Sequence, residues 1–340
     1  PDATGIGWND HAASTYKLSE NLHPTVWTGD VAVSTIKHYE GEQPLFLKIS
    51  FARPHSPYDP PQRILEMYEN IEIPAPAEGE WSKHIGKDIT DPKADSSAAF
   101  AQFSTEYVKN TRKHYYAAVT FIDEQVGRIV KALKEKGMYD NTIICFTSDH
   151  GDMMGDHHSW RKTYAYEGSA AIPMIIKTPK DVEGVHCRGK VIENPVELRD
   201  ILPTFLDAAG GETPEAMDGR SMLKLIKEEN PQWRRWIDME HATCYSEENY
   251  WCALTDGKIK YIWFLRTGEE QLFDLVKDPH ETVNQITNRK YRKQTDELRR
   301  AMAEHLSERG DKWVKDGQLQ KREKTLLYSP NYPSGLSTKK

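Results

Sequence analysis

The chain has 340 residues, of which 38% are hydrophobic and 29% charged, with a formal net charge of −7. That length can bury a large core in one big α/β domain or two unequal ones. No run of about eighteen apolar residues occurs, which excludes a long apolar membrane-spanning helix. The acidic balance, without a long basic stripe, argues against nucleic acid as a partner. An anionic substrate would therefore need a local cluster of cations.

Residues 1–29 carry no charged segment followed by an apolar run, so they do not read as a signal peptide; they read like the middle of a protein. Apolar positions at Val31, Val33 and Ile36 predict a helix over Thr28 to Tyr39. The run Pro44 to Phe51 reads as a strand buried on both faces of a parallel sheet. The prolines between Arg53 and Pro61 then force a stiff loop. Residues 70–98, rich in Pro, Glu, Lys and Asp, read as a surface excursion. From Ser104 to Lys136, Tyr115, Val119, Ile122, Val126, Ile129 and Leu133 recur at steps of three and four, the pattern of a long amphipathic helix, with Gly137 as its C-cap.

Thr142 to Ser148 is a second buried strand, and it leads directly into Asp149, His150, Gly151 and Asp152. Strand, helix and strand in this order predict a βαβ arrangement, in which ligands sit beyond the carboxyl ends of the strands. The loops Arg53–Asp59 and Asp149–Asp152 both occupy that position. Ile172 to Lys177 is a third strand candidate, Leu198 to Ala209 a helix and Ser221 to Lys227 a short one. The last third differs. Tyr250–Leu254, Lys258–Phe264 and Glu270–Leu275 read as short antiparallel strands, with Asp256-Gly257 as a hairpin turn. Lys290 to Arg309 reads as a charged helix, and the tail from Leu326 as a surface wrap. The predicted division is a main α/β domain over 1–235 and a small α+β subdomain with tail over 236–340. Cys145, Cys187, Cys244 and Cys252 show no CxxC pair; isolated thiols are one reading and a Cys244–Cys252 bridge another.

Singly, the chemically capable residues have ordinary explanations. Asp149 and His150 converge just past a strand as a metal-ligand pair would, yet many strands end in a polar turn. Lys162 offers the compact charge that a tetrahedral oxyanion needs, yet a lone lysine is commonly a solvated cation. His55 is braced by Pro54 and Pro57, as a proton donor must be.

Together they resemble a family. Thr147-Ser-Asp-His-Gly-Asp-Met-Met-Gly-Asp-His157 is similar to the second metal-binding motif of bacterial sulfatases and of their phosphonate monoester hydrolase relatives. Lys162-Thr-Tyr-Ala-Tyr-Glu167 resembles the sulfate-lysine segment, and Arg53-Pro-His-Ser-Pro-Tyr58 the loop with the sulfate-contacting histidine. Asp200 to Gly210, Asp218-Gly-Arg-Ser221, Thr255 to Ile262 and Leu272 to Pro279 resemble later family segments, so the likeness runs in order from about residue 40 to 310.

The resemblance implies an alkaline-phosphatase-like fold, a mostly parallel sheet sandwiched by helices, with a small C-terminal antiparallel sheet plus helix. It implies hydrolysis of a sulfate ester, with a sulfated sugar suggested by Trp81, Trp160 and Tyr166; phosphonate monoester or phosphodiester hydrolysis and an inactive homologue are the alternatives. By position, Asp149 and His150 would bind a divalent metal, and Asp149 would help to activate the nucleophile. His55 and Lys162 would grip sulfate oxygens, with His55 protonating the leaving alcohol, while His157 and Trp160 would line the pocket. Calcium is the first choice of metal. Calcium prefers oxygen ligands whereas His150 offers nitrogen, and manganese, zinc or iron suits a phosphonate or phosphodiester hydrolase better. The nucleophile of such enzymes is a formylglycine, made at a Cys/Ser-x-Pro/Ala-x-Arg motif. No cysteine or serine here opens one. The resemblance thus places that motif, two aspartate ligands, a Lys/His pair and the first strands of the sheet upstream of Pro1. The 340 residues alone are then expected to be inactive, and the protein to be periplasmic or secreted.

Overall fold

The computed structural model describes residues 4–88, 91, 93, 95–182, 184–185, 187–242 and 244–323; the tail from Leu326 lies outside them. The chain forms two compact units. The first comprises 1–78, 82–161 and 172–183, and the second 79–81, 162–171 and 184–340.

The first unit is organised on one long helix. Helices α1 (Pro24–Lys37) and α2 (Gln62–Glu66) precede the short strands β1 (Lys87–Asp88) and β2 (Ala101–Gln102), which pair in parallel. Then comes α3 (Thr105–Glu135), 31 residues and about 46 Å long at 1.5 Å per residue. Ser104 caps its start by accepting a hydrogen bond from the amide of Tyr107 at 3.3 Å. Gly137, at φ +74°, turns the chain out at its end, and the amide of Met138 reaches back to Leu133 O. The buried face of α3 packs in three places: Ile129, Ala132 and Leu133 on Ala32 and Ile36 of α1, Ala117 and Phe121 on Val26 and Ile64, and Val108 on Trp160.

Strands β3 (Ile144–Thr147) and β4 (Met174–Lys177) complete this unit. They pair antiparallel, Ile144 opposite Lys177 and Thr147 opposite Met174. The βαβ expectation linked the 44–51 run with the 142–148 strand; the ladder that β3 makes among the described residues is with β4. Residues 44–50 join no ladder among the described residues. Ile49 and Phe51 pack against the α1/α3 cluster, and Phe46 is 73% exposed.

The second unit contains α4 (Glu167–Ala170), α5 (Ile201–Ala208), α6 (Leu223–Lys227), a sheet of β5 (Ile237–His241), β6 (Trp251–Thr255), β7 (Ile259–Phe264) and β8 (Glu270–Asp274), and helix α7 (Arg292–Ser307). The sheet is an antiparallel meander in chain order. Asp256 and Gly257 make the β6–β7 turn as expected: Gly257 sits at φ +83°, and the Asp256 carboxylate accepts the amides of Lys258 and Ile259 at 2.9 and 3.0 Å. Leu298, Met302 and Leu306 of α7 cover Tyr261, Leu265 and Leu272. The edge strand β5 has no sequence forecast, because Ile-Asp-Met-Glu-His puts acids into a short half-exposed strand. All four cysteines are free thiols, so no Cys244–Cys252 bridge forms, and burial pushes the Cys252 thiol up to about 12. Among the described residues no helix is long and apolar enough to cross a membrane.

Asp200 holds the α5 region. Fully buried, it accepts from both terminal nitrogens of Arg234 at 2.5 Å and from the amides of Glu197 and Arg220 at 3.0 and 2.7 Å. Gly219 lets the Arg220 segment approach: a Cβ there would lie 1.8 Å from Arg199 O. Asp200→Ala strips the buried Arg234 guanidinium of both its 2.5 Å bonds and leaves it Glu197 Oε1 at 3.3 Å, so a loss of about 3 kcal/mol is expected. Urea unfolding checks this, and a loss under about 1 kcal/mol would mean that Arg234 escapes to water.

Candidate active site

Two loops meet in the first unit. The loop after residue 52 folds on itself through a buried ion pair: Arg53 donates from Nε to Asp59 Oδ1 at 2.7 Å and from Nη2 to Oδ2 at 2.9 Å. His23, the N-cap of α1, takes the amide hydrogen of Thr25 on Nδ1 at 3.1 Å. Its proton therefore sits on Nε2, 3.5 Å from Asp59 Oδ1. Burial alone would raise the Asp59 pKa; the contacts with His23 and Arg53 outweigh it and hold the carboxyl below its ordinary 3.8. The clamp closes the stretch that carries His55. There His55 Nδ1 lies 3.0 Å from Ser56 O, and since a carbonyl only accepts, Nδ1 bears hydrogen and the neutral ring presents Nε2 as its basic atom.

The second loop follows β3. Met154, His157, His158 and Arg161 all have positive φ, a density of left-handed backbone that persists only where surrounding contacts over-determine it. Those contacts are present. Asp156 Oδ1 accepts from the Ala77 amide at 2.6 Å and from Arg112 Nη2 at 2.5 Å, and Arg112 Nε donates to Met154 O at 2.9 Å. The Met153 amide donates to Arg161 O at 2.7 Å, closing the loop at its neck. Inside, the half-buried Asp152 accepts the amides of Met154 and Arg161 on Oδ1 at 3.0 and 2.9 Å. On Oδ2 it accepts the Tyr58 hydroxyl at 3.2 Å. That last bond ties the two loops together. Burial raises the Asp152 pKa, and it raises that of Tyr58 as well, with the Asp152 charge adding to the effect.

The result places the His55 and His150 rings 6.4 Å apart, centroid to centroid. Asp149 is 85% exposed, and its Oδ2 lies 3.7 Å from His150 Nε2. His150 Nδ1 is 2.7 Å from Gly151 O, which fixes the hydrogen on Nδ1 and leaves Nε2 as the lone-pair face. An exposed carboxylate beside an unprotonated imidazole nitrogen fits a divalent cation as two of its ligands. Among the described residues no group of three or more His, Cys, Asp or Glu gathers to complete a shell.

Trp8 is a site residue with no sequence signal. It stacks on His55 with centroids 4.6 Å apart and 21° between planes, and it is 62% exposed. The aromatics expected to meet substrate are placed otherwise. Trp160 is fully buried among Ala98, Ala101 and Val108, with Nε1 donating to Ala101 O at 3.4 Å. His157 is also buried, its amide bonded to Ala77 O at 2.7 Å. Both lie in the interior of the loop. Lys162, half-exposed, opens the 162–171 segment of the second unit, in which Trp81 and Tyr166 pack on each other at 4.7 Å.

The family model described as Sulfatase matches residues 8–211, and that described as N-sulphoglucosamine sulphohydrolase, C-terminal, matches 155–308. The chain belongs to the sulfatase family of the alkaline phosphatase superfamily. It is 38% identical over 323 residues to an arylsulfatase of Clostridium perfringens, covering 93% of this chain and 65% of that protein. It is 33% identical over 259 residues to a choline-sulfatase of Rhizobium meliloti, covering 73% and 48%. The chain thus spans half to two-thirds of the length of these curated relatives. Among solved structures, a phosphonate monoester hydrolase from Silicibacter pomeroyi superposes with TM-score 0.72 at 25% identity, covering 88% of this chain and 62% of that one.

Asp59 gives a pH test. A carboxyl whose folded pKa is lowered adds stability that is full above its unfolded pKa and is lost as pH falls through the folded one. Asp59→Asn is expected to cost about 3 kcal/mol near neutrality by stranding Arg53. The gap to wild type should close as pH drops below about 4; a gap that does not change with pH would contradict the ion-pair account.

Proposed function

We propose that this chain serves a sulfate-ester hydrolase acting on a sulfated carbohydrate. One observation carries the reading: in a sulfatase-family chain, the His55 loop and the Asp149–His150 pair are drawn onto one face of the first unit, through the Tyr58–Asp152 bond. The carbohydrate part is supported by the match of residues 155–308 to the N-sulphoglucosamine sulphohydrolase family and by Trp8, an exposed indole face of the kind on which sugar rings stack. The choline-sulfatase relative shows that the family also takes other alcohols.

In this reading Asp149 and His150 hold a divalent cation, calcium first, with manganese or zinc as the alternatives. When bound, the cation polarises the sulfate oxygens. Asp149 also helps to deprotonate the nucleophile. Lys162 supplies positive charge to a sulfate oxygen. His55 acts in its cationic form: the proton it has taken up on Nε2 passes to the leaving alkoxide, returning the ring to neutral, while its Nδ1–H stays bonded to Ser56 O and keeps the ring in register. Trp8 shields that ring from water on one face. No cysteine or serine in these residues begins Cys/Ser-x-Pro/Ala-x-Arg, so the reading assigns the formylglycine to residues outside these 340, and the chain by itself is expected not to turn over.

The competing reading is a phosphonate monoester hydrolase, favoured by the structural likeness to such an enzyme. The full-length protein decides between them. Its kcat/KM for sulfated glucosamine or an aryl sulfate is expected to exceed that for the matching phosphonate monoester by at least about tenfold, ~1.4 kcal/mol. The reverse order would overturn the sulfate assignment. His55→Ala is expected to lower kcat by about 10²–10⁴-fold on alkyl sulfates and much less on aryl sulfates with acidic leaving groups. Equal losses on both would remove His55 from the proton-donor role.

A further inference from the structure

The Lys162 segment is gripped at both ends by the C-terminal sheet of its own unit. Thr163, next to the lysine, sits at φ +87°, a costly conformation for a β-branched residue. Its carbonyl accepts Trp251 Nε1 at 3.0 Å and Asn249 Nδ2 at 3.2 Å, and its hydroxyl oxygen accepts Asn249 Nδ2 at 3.0 Å. Asn249 Oδ1 in turn accepts Trp251 Nε1 at 3.1 Å, so the two side chains brace each other under Thr163. These groups stand at the start of β6.

The far end of the segment is held by charge. Lys260, on β7, is fully buried, with Nζ 2.6 Å from Glu167 Oε1 and 2.8 Å from Glu281 Oε1. Glu281 Oε2 also accepts the Glu167 amide at 2.6 Å, at the first residue of α4. Between the two ends, the Tyr166 hydroxyl donates to Gln271 Oε1 of β8 at 2.9 Å. Two carboxylates on one buried ammonium are a poor device for stability, since apolar residues of similar volume often do as well. What the arrangement does supply is a fixed path for the backbone from 163 to 167, with Lys162 at its mouth.

We propose that Asn249, Trp251 and the Lys260–Glu167–Glu281 group are positioning residues for Lys162, setting where its ammonium meets an anionic ester group. The proposal rests on the reading of Lys162 as a sulfate contact. It predicts that loosening the grip acts only through that lysine.

Calorimetric titration of the full-length protein with inorganic sulfate separates the two claims without needing turnover. Wild type is expected to bind, and Lys162→Ala to bind at least about tenfold more weakly. Asn249→Leu is expected to weaken binding by about three- to tenfold, and Lys162→Ala/Asn249→Leu to bind no worse than Lys162→Ala alone, the signature of coupling. The double substitution K260M/E281Q, which leaves Asn249 in place, should repeat the pattern. Sulfate binding indifferent to Lys162 would overturn the sulfate contact and the positioning role together. A Lys162-dependent site unaffected by Asn249→Leu and by K260M/E281Q, or losses that add in the double variants, would overturn the positioning role alone. Unfolding of both variants on thermal melting would assign these residues to stability and overturn it as well.

Discussion

The hydrogen-bonded carboxylate of Asp152 is the constraint on which the first unit's site depends. It lies beneath two loops distant in sequence and receives three hydrogen bonds, two from backbone amides of its own loop and one from Tyr58 of the other. An unsatisfied carboxylate in that place would be costly, so each donor must be where it is. The amides of Met154 and Arg161 can point inward only because both residues adopt left-handed backbone. Tyr58 can reach only because Arg53 and Asp59 draw their loop shut. Satisfying one carboxylate therefore sets the course of both loops, and His55 and His150 come to face each other as a consequence.

The second unit uses buried charge in a related way. Lys260 between Glu167 and Glu281, and Asp200 under Arg234, each join chain segments far apart in sequence. Ionic contacts of this kind add little net stability but tolerate few alternative geometries. That suits segments such as 162–167, whose value lies in where one side chain is held. Apolar packing of α7 on the sheet supplies the cohesion, and the ion groups supply the register.

Much of this was legible in the sequence, and the parts that were not share causes. The periodicity of α3 and the Asp256-Gly257 turn declare local structure, and local structure follows local pattern. The motif residues His55, Asp149, His150 and Lys162 stood out by their order along the chain. Their surroundings did not. Residues 44–51 place Ile49 and Phe51 on the helices, and composition alone does not say which positions of such a run are covered. Trp160 looked like a pocket aromatic but is buried, and the positive φ angles of its loop occur at Met154, His157, His158 and Arg161, none of them glycine, so no residue type announces them. Trp8 reaches His55 across some fifty residues, and Lys260 reads as an ordinary strand-surface cation until both acids are seen around it. Long-range contacts of single polar or aromatic side chains leave no periodic trace.

The measurement that bears most directly on the account is peptide mapping by mass spectrometry of the full-length protein, produced alongside a working formylglycine-generating system. The account predicts a peptide outside these 340 residues in which the first residue of a Cys/Ser-x-Pro/Ala-x-Arg motif carries the mass of formylglycine. Full-length protein with no such motif, or with the motif present and its cysteine or serine unmodified, would contradict it.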